Sequence, residues 1–265
     1  MQSTAEKLSV GIKTGWAIGE LGIATYVGIT MIYLMFFLTE GLGISPFWAG
    51  IALLIPRLWD VVTDPVMGAI SDRTHSRMGR RRPYLLVGGT LFGIAFFLIF
   101  AAPPEASEMT KVVYVTAAYL LTSTAYTIYE VPYGAMAAEM TADYRERTVL
   151  TGYKMMAARI GIVLAVTAGP YIYASQQTLA DGFRLLGGIF GAFMVITALI
   201  SFFSTARAPR IARAVHAFSL KDEFRAIVRN RPFAILFMVF LLQNIAIGAS
   251  ATTLVYYLTV VMKAS

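Results

Sequence analysis

Seven stretches of the chain are apolar enough and long enough to cross a lipid bilayer, and no other feature of the sequence constrains the fold as strongly. A membrane-spanning helix needs about 20 mostly apolar residues. The stretches comprise residues 14–38, 47–71, 84–102, 112–138, 149–174, 183–205 and 233–261. Only 14% of the residues are charged, whereas soluble domains carry about 25%. We therefore predict an all-α polytopic membrane protein.

Basic residues are concentrated in alternate connections between these spans. The connection after the second span, called the arginine loop below (residues 73–82), contains five arginines. The connection at 207–231 contains seven basic residues. Because cytoplasmic loops are enriched in Lys and Arg, the pattern predicts a cytoplasmic N-terminus, with both connections on that side. The net charge of +7 then reflects membrane topology rather than nucleic-acid binding.

The spacing of the spans predicts three parts of the chain. Residues 1–206 form a six-helix transmembrane domain, and residues 207–232 form a cytoplasmic linker. Within the linker, Leu220, Phe224, Ile227 and Val228 recur at helical spacing, which indicates an amphipathic surface helix. Residues 233–265 contain the first span of a second, truncated domain.

Three charged residues lie inside the second span. Arg57, Asp60 and Asp64 are three and four residues apart, so a helix places them on one face. Two carboxylates one turn apart repel each other unless a cation, a proton or an arginine neutralises them. Thr63 adds a hydroxyl group, and Pro65 frees backbone carbonyls for ligation. The pattern predicts either a cation site or a structural ion pair of Arg57 with one aspartate.

The fourth span contains a carboxylate preceded by hydroxyl-bearing side chains. Tyr126 and Thr127 come four and three residues before Glu130, so a helix brings the three together. A carboxylate beside an aromatic ring suits a solute with several hydroxyl groups. The alternative for Tyr126 is a packing or interfacial role, which is common for tyrosine in membrane helices.

Further charged residues inside predicted spans include Glu20 in the first and Lys154 and Arg159 in the fifth. Glu20 and Lys154 reach either an internal cavity or the polar interface at the end of the span. Arg159 lies deeper and needs a carboxylate partner. The available partners are Glu20, Asp60, Asp64 and Glu130.

The sequence lacks the residue patterns of an enzyme. Cysteine is absent, which excludes disulfides and thiolate metal sites. The two histidines, His75 and His216, lie in predicted loops without metal-ligand neighbours. A Walker motif is also absent. We expect neither an enzyme nor an ATP-driven pump, and no bound cofactor.

Three segments together resemble a family of membrane transporters. G-A-I-S-D-R-T-H-S-R-M-G-R-R-R-P (68–83) resembles the loop signature of the major facilitator superfamily. R-L-W-D-V-V-T-D-P-V-M-G (57–68) and Y-T-I-Y-E-V-P-Y (126–133) are similar to segments of its glycoside–pentoside–hexuronide:cation symporters. The resemblance covers essentially the whole chain. It implies the N-terminal six-helix bundle of a twelve-helix transporter, plus the first helix of the C-terminal bundle.

The resemblance also implies roles for individual residues. It implies a cation site at Asp60, Thr63, Asp64 and Thr127. It implies solute contacts at Tyr126, Glu130 and Lys154, to which Glu20 is added as a candidate. The charge network or gate would comprise Arg57, Asp72, Arg73, Arg77, Arg80 and Arg159.

Two positions depart from the best-known member of that family. Ala24 stands where that member has a sugar-binding aspartate, and Gly134 stands where it stacks a tryptophan on the sugar. Both departures argue against a galactoside as the solute, and neither affects the residues implied for the cation.

The expected function is symport of a solute, a sugar or glycoside, with Na⁺, Li⁺ or H⁺ by alternating access. The expected setting is a monomer in a bacterial inner membrane, without nucleic-acid partners. Two alternatives remain: a family member that moves lysolipids or other amphipathic solutes, and a membrane receptor or scaffold that transports nothing.

Overall fold

The computed structural model describes residues 8–209, 211, 230–257 and 261–262. Every regular element among them is helical, and seven long helices correspond to the seven predicted spans. They are α1 (Val10–Ile32), α2 (Pro46–Arg73), α3 (Arg82–Phe100), α4 (Glu108–Met140), α5 (Tyr144–Tyr173), α6 (Leu179–Ser204) and α7 (Arg231–Tyr256). The predicted all-α membrane fold is confirmed. The predicted linker helix lies outside the described residues, and the three-part division remains a prediction.

Five of these helices have the length and apolar composition of membrane spans, namely α1, α3, α5, α6 together with its short 3-10 extension, and α7. The other two, α2 and α4, have 28 and 33 residues. At 1.5 Å per residue they are about 42 and 50 Å long, which exceeds the roughly 30 Å hydrocarbon core of a bilayer. Charged side chains singled out in the sequence, namely Arg57, Asp60 and Asp64 on α2 and Glu130 on α4, lower the hydropathy of these two helices.

The first predicted span is divided in the structure. After α1 the chain continues as a short helix, Leu34–Phe36, and a π-helical turn, Phe37–Gly41. Gly43 then adopts a φ of +67°, a conformation that glycine reaches without steric cost. The chain reverses there and enters α2, which begins at Pro46, a favoured residue at the first helical position.

Five pairs of helices make the main contacts of the described bundle. Helix α1 packs against α5 and α6, helix α3 against α4 and α6, and helix α2 against α4. Glycines allow a close approach of α3 and α6: a Cβ on Gly191 would lie 2.6 Å from the carbonyl oxygen of Gly93. Small residues at helix crossings are a usual means of association in membranes.

An aromatic stack fixes α1 against α4. The rings of Trp16 and Tyr133 are stacked with centroids 5.0 Å apart, and Tyr129 stacks on Tyr133 at 5.5 Å. The Tyr133 hydroxyl donates a hydrogen bond of 3.0 Å to the carbonyl oxygen of Trp16. These contacts set the spacing between Glu20 on α1 and Glu130 on α4.

Candidate functional site

Two carboxylate–hydroxyl pairs join α2 to α4. The Ser123 hydroxyl donates to Asp60 Oδ1, and the Thr127 hydroxyl donates to Asp64 Oδ1 at 2.7 Å. In both pairs the partners are 63 residues apart in sequence. The constant separation shows that α2 and α4 run in the same direction at this contact, so successive turns of one helix meet successive turns of the other.

The two aspartates are covered on one side only. Ser123 and Thr127 are buried, with 1% and 2% of their surface exposed, whereas Asp60 is half-buried and Asp64 is exposed. Thr63 does not contact either carboxylate, because its hydroxyl donates to the carbonyl oxygen of Trp59 at 3.2 Å. The geometry therefore unites three of the four predicted cation-site residues and adds Ser123. Carboxylate and hydroxyl oxygens are the ligands that hard cations prefer.

A second charged cluster joins α1, α4 and α5. Lys154 Nζ lies 3.4 Å from Glu20 Oε2 and 3.8 Å from Glu130 Oε1. The same nitrogen lies 5.3 Å from the centroid of the Tyr133 ring. Glu20 and Lys154 thus point at each other rather than towards an interface. Two carboxylates and one ammonium group offer several acceptor oxygens and the N–H donors of the ammonium group to a bound solute.

Two other positions define the surroundings of this cluster. Tyr126 is packed against aromatic rings, with its centroid 5.2 Å from Tyr26 and 5.6 Å from Phe92. Gly134 leaves open space, because a Cβ there would approach only Glu130 Oε1 at 3.5 Å and Lys154 Nζ at 3.9 Å. The missing side chain at this position therefore leaves room for at least a methyl group beside the charged cluster.

Comparison with known families agrees with this arrangement of helices and charges. Residues 15–265 match the family model described as "MFS/sugar transport protein". The chain belongs to the glycoside–pentoside–hexuronide:cation symporter family. The resemblance stated from the sequence motifs is confirmed, and the chain is a multi-pass membrane protein of a transporter family, not an enzyme.

Three relatives illustrate the similarity. The chain is 31% identical over 263 residues to "Uncharacterized symporter YnaJ" of Bacillus subtilis (strain 168), covering 98% of this chain and 57% of the relative. It is 29% identical over 259 residues to "Inner membrane symporter YicJ" of Escherichia coli (strain K12), covering 96% and 55%. It is 30% identical over 178 residues to "Sodium-dependent lysophosphatidylcholine symporter 1" of Xenopus tropicalis, covering 67% and 34%. The chain spans little more than half the length of the first two relatives.

Two predicted charge-network residues of this family member form no close ion pair with a described residue. Arg57 and Arg159 are exposed, and neither forms an ion pair within 4 Å with any residue of the described ranges. The carboxylates expected for Arg159 are engaged elsewhere, two with Lys154 and two with hydroxyl groups. The ion pair considered for Arg57 with an aspartate is likewise not formed.

The arginine loop forms its own ion-pair network at the end of the bundle. Arg81 Nη2 lies 2.7 Å from Asp72 Oδ1, and Arg81 Nε lies 3.0 Å from Glu139 Oε1. Arg80 Nη2 lies 3.2 Å from the same oxygen of Glu139. Sequence reasoning missed Glu139, although an acidic residue at the end of a span facing an arginine-rich loop was a usable signal. The predicted gate residues Arg73 and Arg77 are exposed and lie outside this network.

A buried ion pair at the same end of the bundle was also missed. Lys13 Nζ lies 2.6 Å from Glu146 Oε1, with both side chains about nine-tenths buried. The same oxygen accepts a hydrogen bond of 3.0 Å from the backbone N–H of Leu8. Glu146 lies in the first turn of α5, whose N-cap is Asp143. The pair fixes the start of α1 to the start of α5.

Proposed function

We propose that the complete protein is a secondary transporter that couples the inward movement of Na⁺, Li⁺ or H⁺ to the uptake of a small hydroxylated solute. The observation that carries this proposal is the pair of carboxylate–hydroxyl contacts between α2 and α4. Ionisable groups inside a membrane are costly and mark ion or substrate pathways. Because the chain spans about half of its relatives, the activity belongs to a protein with both six-helix halves.

The cation binds at Asp60, Asp64, Ser123 and Thr127 in this proposal, with Thr63 at the edge of the site. Two negative charges one turn apart, with no ion pair to a described arginine or lysine within 4 Å, are stabilised when a cation or a proton neutralises them. The printed name of the Xenopus relative refers to sodium, which supports Na⁺ among the three candidate ions.

The solute binds at Glu20, Glu130 and Lys154, with Tyr126 beside them. Carboxylates accept hydrogen bonds from solute hydroxyl groups, and the ammonium group donates to a ring or hydroxyl oxygen. A sugar or glycoside provides many such groups close together. The description of the matched family, which names sugar transport, supports this substrate class.

A lysolipid or another amphipathic solute is the second candidate. The open space at Gly134 leaves room for a bulkier ligand beside the charged cluster, and the printed name of the Xenopus relative specifies lysophosphatidylcholine. Competition of a labelled glycoside and of lysophosphatidylcholine for uptake separates the two candidates.

Transport proceeds by alternating access of a monomer in this proposal, and the half-open geometry of the cation site supports alternating access. The aspartates are covered by α4 on one side, and helix α2 exposes a row of apolar side chains beside them, including Leu58, Val62 and Val66. Substrate and ion sites of such transporters lie between two halves that rock against each other. We further propose a cytoplasmic N-terminus in a bacterial inner membrane, with the gate at Asp72 and Arg80.

Cation-driven uptake by the complete reading frame tests the proposal. Asp64→Asn removes one of the paired charges while preserving side-chain size, and we expect it to abolish concentrative uptake driven by a Na⁺, Li⁺ or H⁺ gradient. Glu105→Gln removes a carboxylate in the exposed connection before α4 and should leave uptake unchanged. Undiminished concentrative uptake by Asp64→Asn would refute the cation site.

A further inference from the structure

An open groove of about 620 Å³ lies along α6 beside the end of α3. This volume is within the range of roughly 300–1,000 Å³ that is usual for sites of small molecules. The groove is lined by Phe97 of α3, by Gln176 in the connection before α6 and by side chains of α6 between positions 181 and 192. It shares no residue with the clusters around Asp64 and Lys154.

The groove lies on the side of the bundle away from both charged clusters. The residues of those clusters belong to α1, α2, α4 and α5, and helices α3 and α6 contribute none of them. In the proposed transport mechanism the second half of the complete protein packs over the ion and solute sites, so the groove faces the lipid. It lies at the end of α3 and the start of α6, which is the end of the bundle opposite the arginine loop.

One end of the groove carries charges of both signs. Asp181 and Arg184 are three residues apart on α6, where they are neighbours on the helix surface, and both are exposed. Neither forms an ion pair within 4 Å with a residue of the described ranges. The Thr178 hydroxyl donates a hydrogen bond of 2.6 Å to Asp181 Oδ2 and holds the carboxylate at the rim. This end therefore offers a carboxylate acceptor and a guanidinium donor side by side.

The remainder of the groove is apolar. Leu185 and Ile189 are 39% and 46% exposed, and Ala192 is exposed as well. From Leu185 to Ala192 the helix rises by about 10 Å. Phe97 forms the opposite side, since a Cβ on Gly188 would lie 3.9 Å from its ring carbons. The groove thus changes from charged to apolar along its length, as a phospholipid does from headgroup to acyl chain.

We propose that this groove binds a phospholipid whose headgroup contains a phosphate and a primary ammonium group, as in phosphatidylethanolamine. The N–H groups of Arg184 match the geometry of the phosphate oxygens. The Asp181 carboxylate accepts a hydrogen bond from the ammonium group, and an acyl chain lies along Leu185 and Ile189. A headgroup with a phosphate and no amine binds less well, because its negative charge then lies beside Asp181 without compensation.

Ligand-dependent thermal stability of the complete protein in detergent tests the proposal. The probes are the dioctanoyl forms of phosphatidylethanolamine, phosphatidylcholine and phosphatidylglycerol. Phosphatidylethanolamine should raise Tm in a saturable manner. Phosphatidylcholine has a quaternary ammonium group without N–H, and phosphatidylglycerol has no amine. Both should need about tenfold higher concentrations for the same shift in Tm.

Two variants and one control locate the binding. Arg184→Gln removes the partner of the phosphate and should weaken the binding of phosphatidylethanolamine about tenfold. Ala192→Phe fills the apolar part of the groove without changing a charge and should weaken binding to a similar extent. Arg145→Gln is the matched control, because Arg145 is an exposed arginine in the first turn of α5, at the end of the bundle that carries the arginine loop.

Saturable stabilisation by phosphatidylethanolamine that Arg184→Gln and Ala192→Phe weaken, and that Arg145→Gln retains, establishes the site. Absence of stabilisation, equal stabilisation by all three lipids or preference for phosphatidylglycerol overturns the proposal. Unchanged binding in Arg184→Gln or in Ala192→Phe also overturns it. The orientation of the groove towards lipid rests on the proposed transport function, and that function fails separately, through the absence of cation-driven uptake.

Discussion

The position of Lys154 between two carboxylates yields a quantitative prediction. Unit charges 3.4 Å apart attract each other by about 5 kcal/mol at an effective dielectric constant of 20. At 3.8 Å the figure falls only to about 4 kcal/mol. Exposure separates the two pairs further, because the Glu20 side chain is 11% exposed and the Glu130 side chain is 30% exposed. Water solvates the carboxylate of Glu130 better than that of Glu20 once the lysine charge is lost, so Lys154 is coupled more strongly to Glu20.

Neutralising Lys154 should therefore destabilise the protein mainly through Glu20. Removing one partner of a buried ion pair costs about 3–5 kcal/mol, and exposed pairs are worth about 0–1 kcal/mol. For these partly exposed groups we expect Lys154→Gln to lower the free energy of unfolding by about 2–3 kcal/mol. We expect a coupling energy of about 2 kcal/mol with Glu20 and about 1 kcal/mol with Glu130.

Double-mutant cycles on the complete protein measure both coupling energies. The variants are Lys154→Gln, Glu20→Gln, Glu130→Gln and the two double variants that contain Lys154→Gln, each followed by denaturant unfolding in detergent. Lys111→Gln combined with Glu20→Gln is the matched control. Lys111 Nζ donates to the carbonyl oxygen of Leu42 near the other end of α4, so its cycle with Glu20 should be additive. Equal coupling of Lys154 to both glutamates, or stronger coupling to Glu130, would refute the geometry of this cluster.

Two further predictions concern packing and the cation site. Gly93→Ala should destabilise the protein by about 1–3 kcal/mol, because the added Cβ overlaps backbone atoms of α6. Gly11→Ala is the control. Its Cβ has no described neighbour within 4 Å, so the unfolding free energy should change by less than about 1 kcal/mol. Ser123→Ala should raise the cation concentration for half-maximal uptake about tenfold, since the hydroxyl holds Asp60 in place. Thr116→Ala on the same helix, whose hydroxyl bonds its own backbone, should not change it.

The fold could be predicted because the mean hydropathy of a membrane span depends on the composition of about 20 residues and not on individual contacts. All seven predicted spans correspond to helices, since about 20 apolar residues have few alternatives to a membrane helix. The break after α1 was not predictable. It depends on the turn through Gly43 and on contacts of the chain beyond Tyr33, and the apolar pattern continues through it. The cytoplasmic N-terminus and the linker helix stay predictions.

The candidate site was predictable as a set of residues and less so as a set of contacts. Spacing alone placed Asp60 and Asp64 on one face of a helix. It could not identify Ser123 as a partner, because that contact depends on the register between α2 and α4. Once Asp64 is paired with Thr127 and the helices are known to be parallel, the residue four positions earlier on each helix follows directly.

The prediction of a carboxylate partner for Arg159 could have been avoided by considering helical geometry. The sequence interpretation sought a carboxylate for it among those that surround Lys154 and the second span. Five residues correspond to about 500° of rotation, so Arg159 lies about 140° around α5 from Lys154. A side chain in that position cannot reach the groups that Lys154 contacts on α1 and α4. The structure accordingly leaves Arg159 exposed.

Helix α4 contributes to both charged clusters within a single turn. Thr127 holds Asp64, and Glu130, three residues later, faces Lys154. Three residues correspond to a rise of about 4.5 Å along the helix axis. In the proposed mechanism, ion and solute therefore act on neighbouring side chains of the same short piece of backbone. A small rotation of that turn, caused by the radius of the bound ion, changes the position of Glu130 directly. Replacing one ion by another would then alter the affinity for the solute without any relay through the rest of the bundle.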